Sequence, residues 1–151
     1  MSELLHLFTY GTLTIPEVFL KVTGTTFNQA PAVLEGFDCY RLKDQLYPGI
    51  IPKPGCVTKG IVYFHLDPDT IKKLDQFEGD LYNRKKVSVY TDDQGKTGAV
   101  TYVLKPGAEN YLSSERWSKE AFEQHYLGLF LANDPGFLNE SREERLSKTE
   151  E

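Results

Sequence analysis

The stretch Leu74-Asp75-Gln76-Phe77-Glu78-Gly79-Asp80-Leu81-Tyr82-Asn83-Arg84 places an acid at a switch between two elements. Ile71, Leu74 and Phe77 recur at helical spacing, which predicts an amphipathic helix ending near Phe77. Tyr82 to Tyr90 reads as a strand, and Glu78 stands between the two beside Gly79. A carboxyl at the place where apolar packing ends can be partly buried, and burial raises its pKa toward the range useful for proton transfer. The plainer reading is a solvated loop glutamate, because charged side chains are usually exposed.

A second stretch, Tyr10-Gly11-Thr12-Leu13, weighs against that plainer reading. Leu4 to Thr9 is short and apolar and reads as a buried first strand. Thr14-Ile15-Pro16-Glu17 has the form of a capping box, with Thr14 as N-cap and Glu17 reaching back. It opens a helix expected from about Ile15 to Val22 and stopped by Gly24. Backbone amides between a strand end and a helix start can bind an anion, and the helix dipole favours one there. The competing reading is an ordinary turn in which Gly11 supplies a special dihedral.

Other chemistries lack carriers. His6, His65 and His125 are scattered through apolar segments, and Cys39 and Cys56 have neither CxxC spacing nor a histidine nearby. There is no G-x-S-x-G elbow, no phosphate loop and no G-x-G-x-x-G, so no metal or cofactor is expected. A formal net charge of −5, with no basic run longer than Arg84-Lys85-Lys86, argues against nucleic acid or an anionic membrane as partner. No apolar run approaches the ~20 residues of a membrane helix. Met1 to Thr9 is too short and polar for a signal sequence, and two unpaired cysteines suit a reducing, cytoplasmic setting. A monomer is favoured.

The remaining chain supplies the frame. Ala32 to Leu42 reads as a second strand, with Gly36 marking a bulge or a close approach. Tyr47 to Gly55, with three prolines and two glycines, reads as a loop that packs in part. Val57 to Leu66 reads as a central third strand, with Ile61, Tyr63 and His65 on one face and Val62, Phe64 and Leu66 on the other. Asp67-Pro68 opens the helix that leads to Glu78. Asp92 to Lys96 is a hairpin turn between Tyr82–Tyr90 and an antiparallel fifth strand, Gly98 to Leu104. Trp117 to Leu131 is expected as the longest helix, with Ser118 as N-cap, Trp117 and Phe122 as a hydrophobic staple, and Phe122, Tyr126, Leu129 and Phe130 as its buried stripe. From Asn139 onward the chain is highly charged, so one domain over residues 1–138 and a charged tail over 139–151 are expected. Five strands that do not alternate regularly with about three helices give an α+β protein with a mixed or antiparallel sheet able to curl into a small barrel.

Several motifs in this order resemble the γ-glutamylcyclotransferase-like superfamily, and within it the AIG2-like, γ-glutamylamine cyclotransferase branch. They are Tyr10-Gly11-Thr12-Leu13 after a first strand, Leu34-x-Gly36-Phe37, Tyr47-Pro48-Gly49-Ile50, Val57-x-x-Gly60-x-Val62-Tyr63, and Leu74-Asp75-x-Phe77-Glu78-Gly79-x-x-Tyr82-x-Arg84. The likeness spans about Leu5 to Leu131. It implies a small mixed five-stranded β-barrel flanked by helices, with a cavity at one mouth and a long C-terminal helix. It also implies a reaction in which the α-amine of a γ-glutamyl compound attacks its own side-chain carbonyl, giving 5-oxoproline and a released amine. The position matching Glu78 shuttles the proton in that family, and amides of the loop matching Tyr10 to Leu13 hold the glutamyl part.

Tyr82 and Tyr47 are further candidates for contact with the substrate; Tyr82 could equally hold Glu78 or be a core tyrosine. Arg84 reads as a surface or salt-bridging residue, and the segments Tyr47 to Gly55 and Pro106 to Ser114 as those that would choose the leaving amine. A non-catalytic small-ligand-binding or signalling protein that keeps the fold and cavity is the competing function. A related reaction on a larger γ-glutamyl substrate is a third.

Overall fold

Glycines and apolar alternation bend five strands into a closed barrel. The computed structural model describes residues 4–43, 48–115, 117–125 and 127–132. The elements are β1 (Leu5–Thr9), a 3-10 turn (Thr12–Thr14), α1 (Pro16–Thr23), β2 (Gln29–Arg41), β3 (Pro48–Leu66), α2 (Pro68–Glu78), β4 (Tyr82–Thr91), β5 (Gly95–Leu104), a second 3-10 turn (Glu109–Tyr111), α3 (Lys119–His125) and α4 (Leu127–Ala132). The strands close in the order β1-β3-β2-β4-β5. All neighbours are antiparallel except β1 and β5, which run parallel with Leu7 opposite Val100. The expected α+β fold with a mixed five-stranded barrel is therefore present.

Side-chain alternation sorts the core into two layers. Phe8, Leu34, Ile50, Val62, Phe64, Val89, Ala99 and Val103 form a cluster made only of strand residues, which is the barrel interior. Leu7, Tyr63, Val100, Tyr102 and Leu104 point the other way and meet Val18 and Phe19 of α1, Ile71, Leu74 and Phe77 of α2, and Phe122 of α3. The predicted stripe of α2 is thus the face that seats this helix on the barrel. Leu66 joins the helix-facing layer, not the face of Val62 and Phe64 as its position predicts. The reason is local: His65 has a left-handed backbone (φ 61°), which breaks the alternation one residue earlier.

Three sequence expectations are corrected. The segment from Pro48 to Gly55 is strand, the outer half of β3, paired with β2 from Phe37 opposite Pro52 to Arg41 opposite Pro48. Its prolines are tolerated because β1 pairs only with Ile61–Leu66, so the outer half has one unpaired edge toward which a missing N–H does no harm. Thr14 does not cap α1. Ile15 occupies the N-cap position and no side chain caps the helix; Thr14 belongs to the preceding 3-10 turn, where its hydroxyl donates to the Gly11 carbonyl. The C-terminal helix begins at Lys119, two residues later than expected. Ser118 is its N-cap, accepting from the Ala121 amide at 3.1 Å, and Trp117 and Phe122 lie 6.3 Å apart as the staple requires. A single helix through Leu131 depends on Tyr126, which lies outside the described residues, as do residues 133–151 and hence the charged tail.

Other expectations stand. Gly24 ends α1 in the left-handed conformation (φ 77°). Of the two readings of Gly36 the bulge holds: the β2/β3 register shifts between Glu35 and Phe37, and Gly36 has φ 85°.

Candidate active site at the barrel mouth

Two segments far apart in sequence converge on one end of the barrel. β1 delivers the turn Tyr10-Gly11-Thr12-Leu13. α2 stops at Gly79 (φ 81°, ψ −162°), a conformation open only to glycine, and leaves half-buried Glu78 as its last residue. Together with Pro48 of β3 and Tyr102 of β5 they line a narrow cavity of about 20 Å3, backed by Phe8 and Thr9.

The turn is rigidly held. Gly11 O accepts from the Thr14 amide at 3.0 Å and the Thr14 hydroxyl at 2.7 Å, and Thr12 O accepts from the Ile15 amide at 3.1 Å. Leu13 O accepts from the buried Tyr63 hydroxyl at 2.8 Å. These bonds occupy the carbonyls. The amides of Thr12 and Leu13 open the turn and have no carbonyl within it to receive them, which leaves their N–H groups as donors suited to an anion.

Gly11 is needed for room. Its φ of −122° lies outside the left-handed region, so no left-handed backbone calls for glycine there. A Cβ built there would sit 2.5 Å from Pro48 Cγ and 2.8 Å from its Cδ. Pro48 cannot easily retreat, because its carbonyl accepts from the Tyr82 hydroxyl at 2.6 Å in a buried contact. Gly11→Ala is therefore expected to displace Pro48 or the turn, destabilising the protein by about 1–3 kcal/mol. Gly11→Ala/Pro48→Ala should recover most of that loss, since the second change removes both clashing atoms; urea midpoints of the two single variants and the double variant measure the coupling.

A relay of side chains fixes Tyr10, Tyr102 and α2 to one another. The Tyr10 hydroxyl donates to Tyr102 O at 2.5 Å, and the Tyr102 hydroxyl donates to Asp75 Oδ1 at 2.7 Å. Arg84 of β4 pairs with Asp75 Oδ2 at 2.6 Å. Burial, then the Tyr82 and Glu78 charges, raises the Tyr10 phenol well above its ordinary value. Burial, the bond to Asp75 and the Glu78 charge raise that of Tyr102. Both phenols stay protonated at neutral pH, and each hydrogen is already committed. Among the described residues that line the cavity, Glu78 is left as the one carboxylate and the evident proton acceptor.

The raised phenols also predict alkaline behaviour. Burial lifts Tyr63 above 10.0 as well, with a smaller push from Glu17. The folded values lie above the unfolded one, so this stabilisation is complete below pH 10 and is lost as pH rises toward the folded values. Between pH 10 and 11, buried Tyr63 and Tyr102 should each lower stability by about 1 kcal/mol, as the unfolded phenols go from half to mostly ionised. Urea midpoints against pH would show it, with a shallower fall in Tyr63→Phe.

Of the residues singled out in the sequence, Glu78, Tyr10, Gly11, Thr12 and Leu13 come together. Tyr82 is buried one layer behind, holding Pro48. Tyr47 lies outside the described residues. Asp75, Tyr63 and Pro48 received no role in the sequence reading. Asp75 had a visible signal, since it stands one helical turn before Glu78 on the same face. Among the described residues no group of three possible metal ligands exists.

A small closed barrel with helices on one side, a tight amide turn and a cavity-lining carboxylate at its mouth defines the class to which this molecule belongs. The family described as "Gamma-glutamyl cyclotransferase, AIG2-like" matches residues 7–119, and the chain is a member of it. "AIG2-like protein C" of Arabidopsis thaliana is 36% identical over 137 residues, covering 90% of this chain and 79% of that one. The solution structure of an Arabidopsis thaliana protein superposes with a TM-score of 0.67 at 29% identity, covering 85% of this chain and 87% of the other. A structure titled "Gamma-glutamyl cyclotransferase" shares the fold, with a TM-score of 0.59 at 19% identity over 68% of each chain.

Proposed function

We propose that this chain is a γ-glutamyl cyclotransferase in which Glu78 is the general acid and base. The observation that carries the reading is the convergence of Glu78 and the Tyr10–Leu13 turn on one cavity. The α-carboxylate of a γ-glutamyl compound binds the amides of Thr12 and Leu13. Its α-ammonium then faces Glu78, which takes a proton. The freed amine attacks the γ-carbonyl carbon, a new C–N bond forms, and a tetrahedral intermediate results. Glu78 returns the proton to the departing nitrogen and the old C–N bond breaks; the ring nitrogen gives up its second proton to the re-formed Glu78 carboxylate, which passes it to the freed amine, so that 5-oxoproline and an ammonium ion leave. No external nucleophile or cofactor is required, and holding amine and carbonyl together supplies much of the acceleration, with effective molarities of about 10⁵ M or more.

Tyr82, Tyr102 and Asp75 act as positioning residues, keeping Pro48 and the end of α2 in register with the turn. Tyr47 is retained as a candidate substrate contact, adjoining Pro48 in sequence. The cavity of about 20 Å3 admits about one water molecule, so substrate access requires its walls to part. Release of 5-oxoproline from a panel of γ-glutamyl-ε-lysine, γ-glutamyl amino acids and glutathione tests the proposal; no release from any member by folded protein would reject it.

A further inference from the structure

Beside the cavity lies a wider cleft of about 360 Å3 between the barrel wall and the start of α3. It is lined by Lys59, Gly60 and Ile61 of β3 on one side and by Trp117, Lys119 and Glu120 on the other. Tyr10 and Thr14 also line it, and Tyr10 lines the cavity that holds Glu78 as well. Among the described residues neither Lys59 nor Lys119 takes part in an ion pair. The Glu120 carboxylate is turned toward the Ser118 hydroxyl, 3.5 Å away. Lys59 and Lys119, from separate elements, thus line one space together with Trp117, an arrangement that would receive an anion attached to an apolar stem.

We propose that this cleft is the subsite for the leaving group, and that it selects amines carrying a carboxylate, as in an amino acid or short peptide, with Lys59 and Lys119 binding that carboxylate and Trp117 packing on the stem. The inference rests on the cyclotransferase reading of the adjoining cavity. A substrate would lie across Tyr10, with its glutamyl part beside Glu78 and its amine part beside Lys59. An uncharged or cationic leaving amine would gain nothing from the two lysines. Electrostatic complementarity of this kind sets preference between substrates that share the same reacting bond.

Trp117 is the only tryptophan in the chain, so its fluorescence reports this cleft alone. Glu78→Gln protein, which preserves the ligand, would be titrated with γ-glutamyl-alanylglycine and with the C-terminal amide of the same peptide. The acid should bind about tenfold tighter than the amide, the worth of one charge-assisted contact. That ratio should fall toward one in Lys59→Met and Lys119→Met and persist in Lys59→Arg and Lys119→Arg. Equal affinity for acid and amide, or a ratio unchanged by both methionine substitutions, would overturn the subsite. Failure of the cyclotransferase reading itself would show separately, as absence of 5-oxoproline from either peptide with wild-type protein.

Discussion

Glu78→Gln should lower 5-oxoproline release by about 10²–10⁴-fold, the range for loss of a positioned general acid-base group. The amide matches the carboxylate in shape but cannot take the ammonium proton. The loss should fall on kcat with little change in KM, because the turn amides proposed to hold the α-carboxylate are untouched. The fold should survive, with a thermal midpoint within about 4 °C of wild type, since Glu78 stands at the end of α2 and the buried stripe of Ile71, Leu74 and Phe77 is unaltered. Steady-state kinetics and a thermal melt on the same preparation check both halves. Activity within twofold of wild type would mean that another group carries the proton.

Gly60→Ala should be strongly destabilising. A Cβ at Gly60 would lie 1.9 Å from the Thr9 carbonyl oxygen and 2.9 Å from the Phe8 ring. Gly60 sits on β3 beside the register Thr9 opposite Ile61, where β1 closes against its neighbour, and Phe8 is a filled position of the barrel interior. Neither obstacle can swing aside: one is backbone and the other fully enclosed. The strands must separate locally, at a cost of about 3 kcal/mol or more, equivalent to a fall of roughly 6–12 °C in Tm for a chain of this size. Gly98→Ala is the control, because nothing lies within 4 Å of the corresponding atom. A midpoint for Gly60→Ala no lower than that for Gly98→Ala would show that the β1/β3 contact is looser than these distances require.

Comparison of Gly60 and Gly11 with Gly36 indicates what a single sequence can carry. Gly36 interrupts an alternating strand, so its bulge is a local event and can be read from its neighbours. Gly60 and Gly11 also look like ordinary turn or strand glycines, yet each is dictated by a residue distant in sequence, Thr9 and Pro48. Helix α2 was legible for the same local reason, since Ile71, Leu74 and Phe77 repeat at the helical period and Gly79 ends them. The outer half of β3 was not. Pro48, Pro52 and Pro54 signal a loop by composition, and only the absence of β1 along that edge makes a strand possible.

The site divides in the same way. Glu78 and the Tyr10–Leu13 turn could be named from motifs. The bonds that hold them could not, because Tyr63 to Leu13, Tyr82 to Pro48 and Tyr102 to Asp75 join separate elements. Even Tyr10, expected to face a ligand, has its hydroxyl bound to the Tyr102 carbonyl. Tertiary hydrogen bonds of this type depend on how the barrel closes, which hydrophobic periodicity does not encode.

The most direct test of the central claim is the fate of oxygen when wild-type protein acts on a γ-glutamyl amino acid in ¹⁸O-water. Intramolecular attack by the α-amine predicts 5-oxoproline as the acid product, with no heavy oxygen in it, because the ring carbonyl keeps the oxygen of the substrate. Glutamate carrying ¹⁸O in its side-chain carboxylate would instead mean that water is the nucleophile, and would contradict the roles assigned to Glu78 and the Tyr10–Leu13 turn.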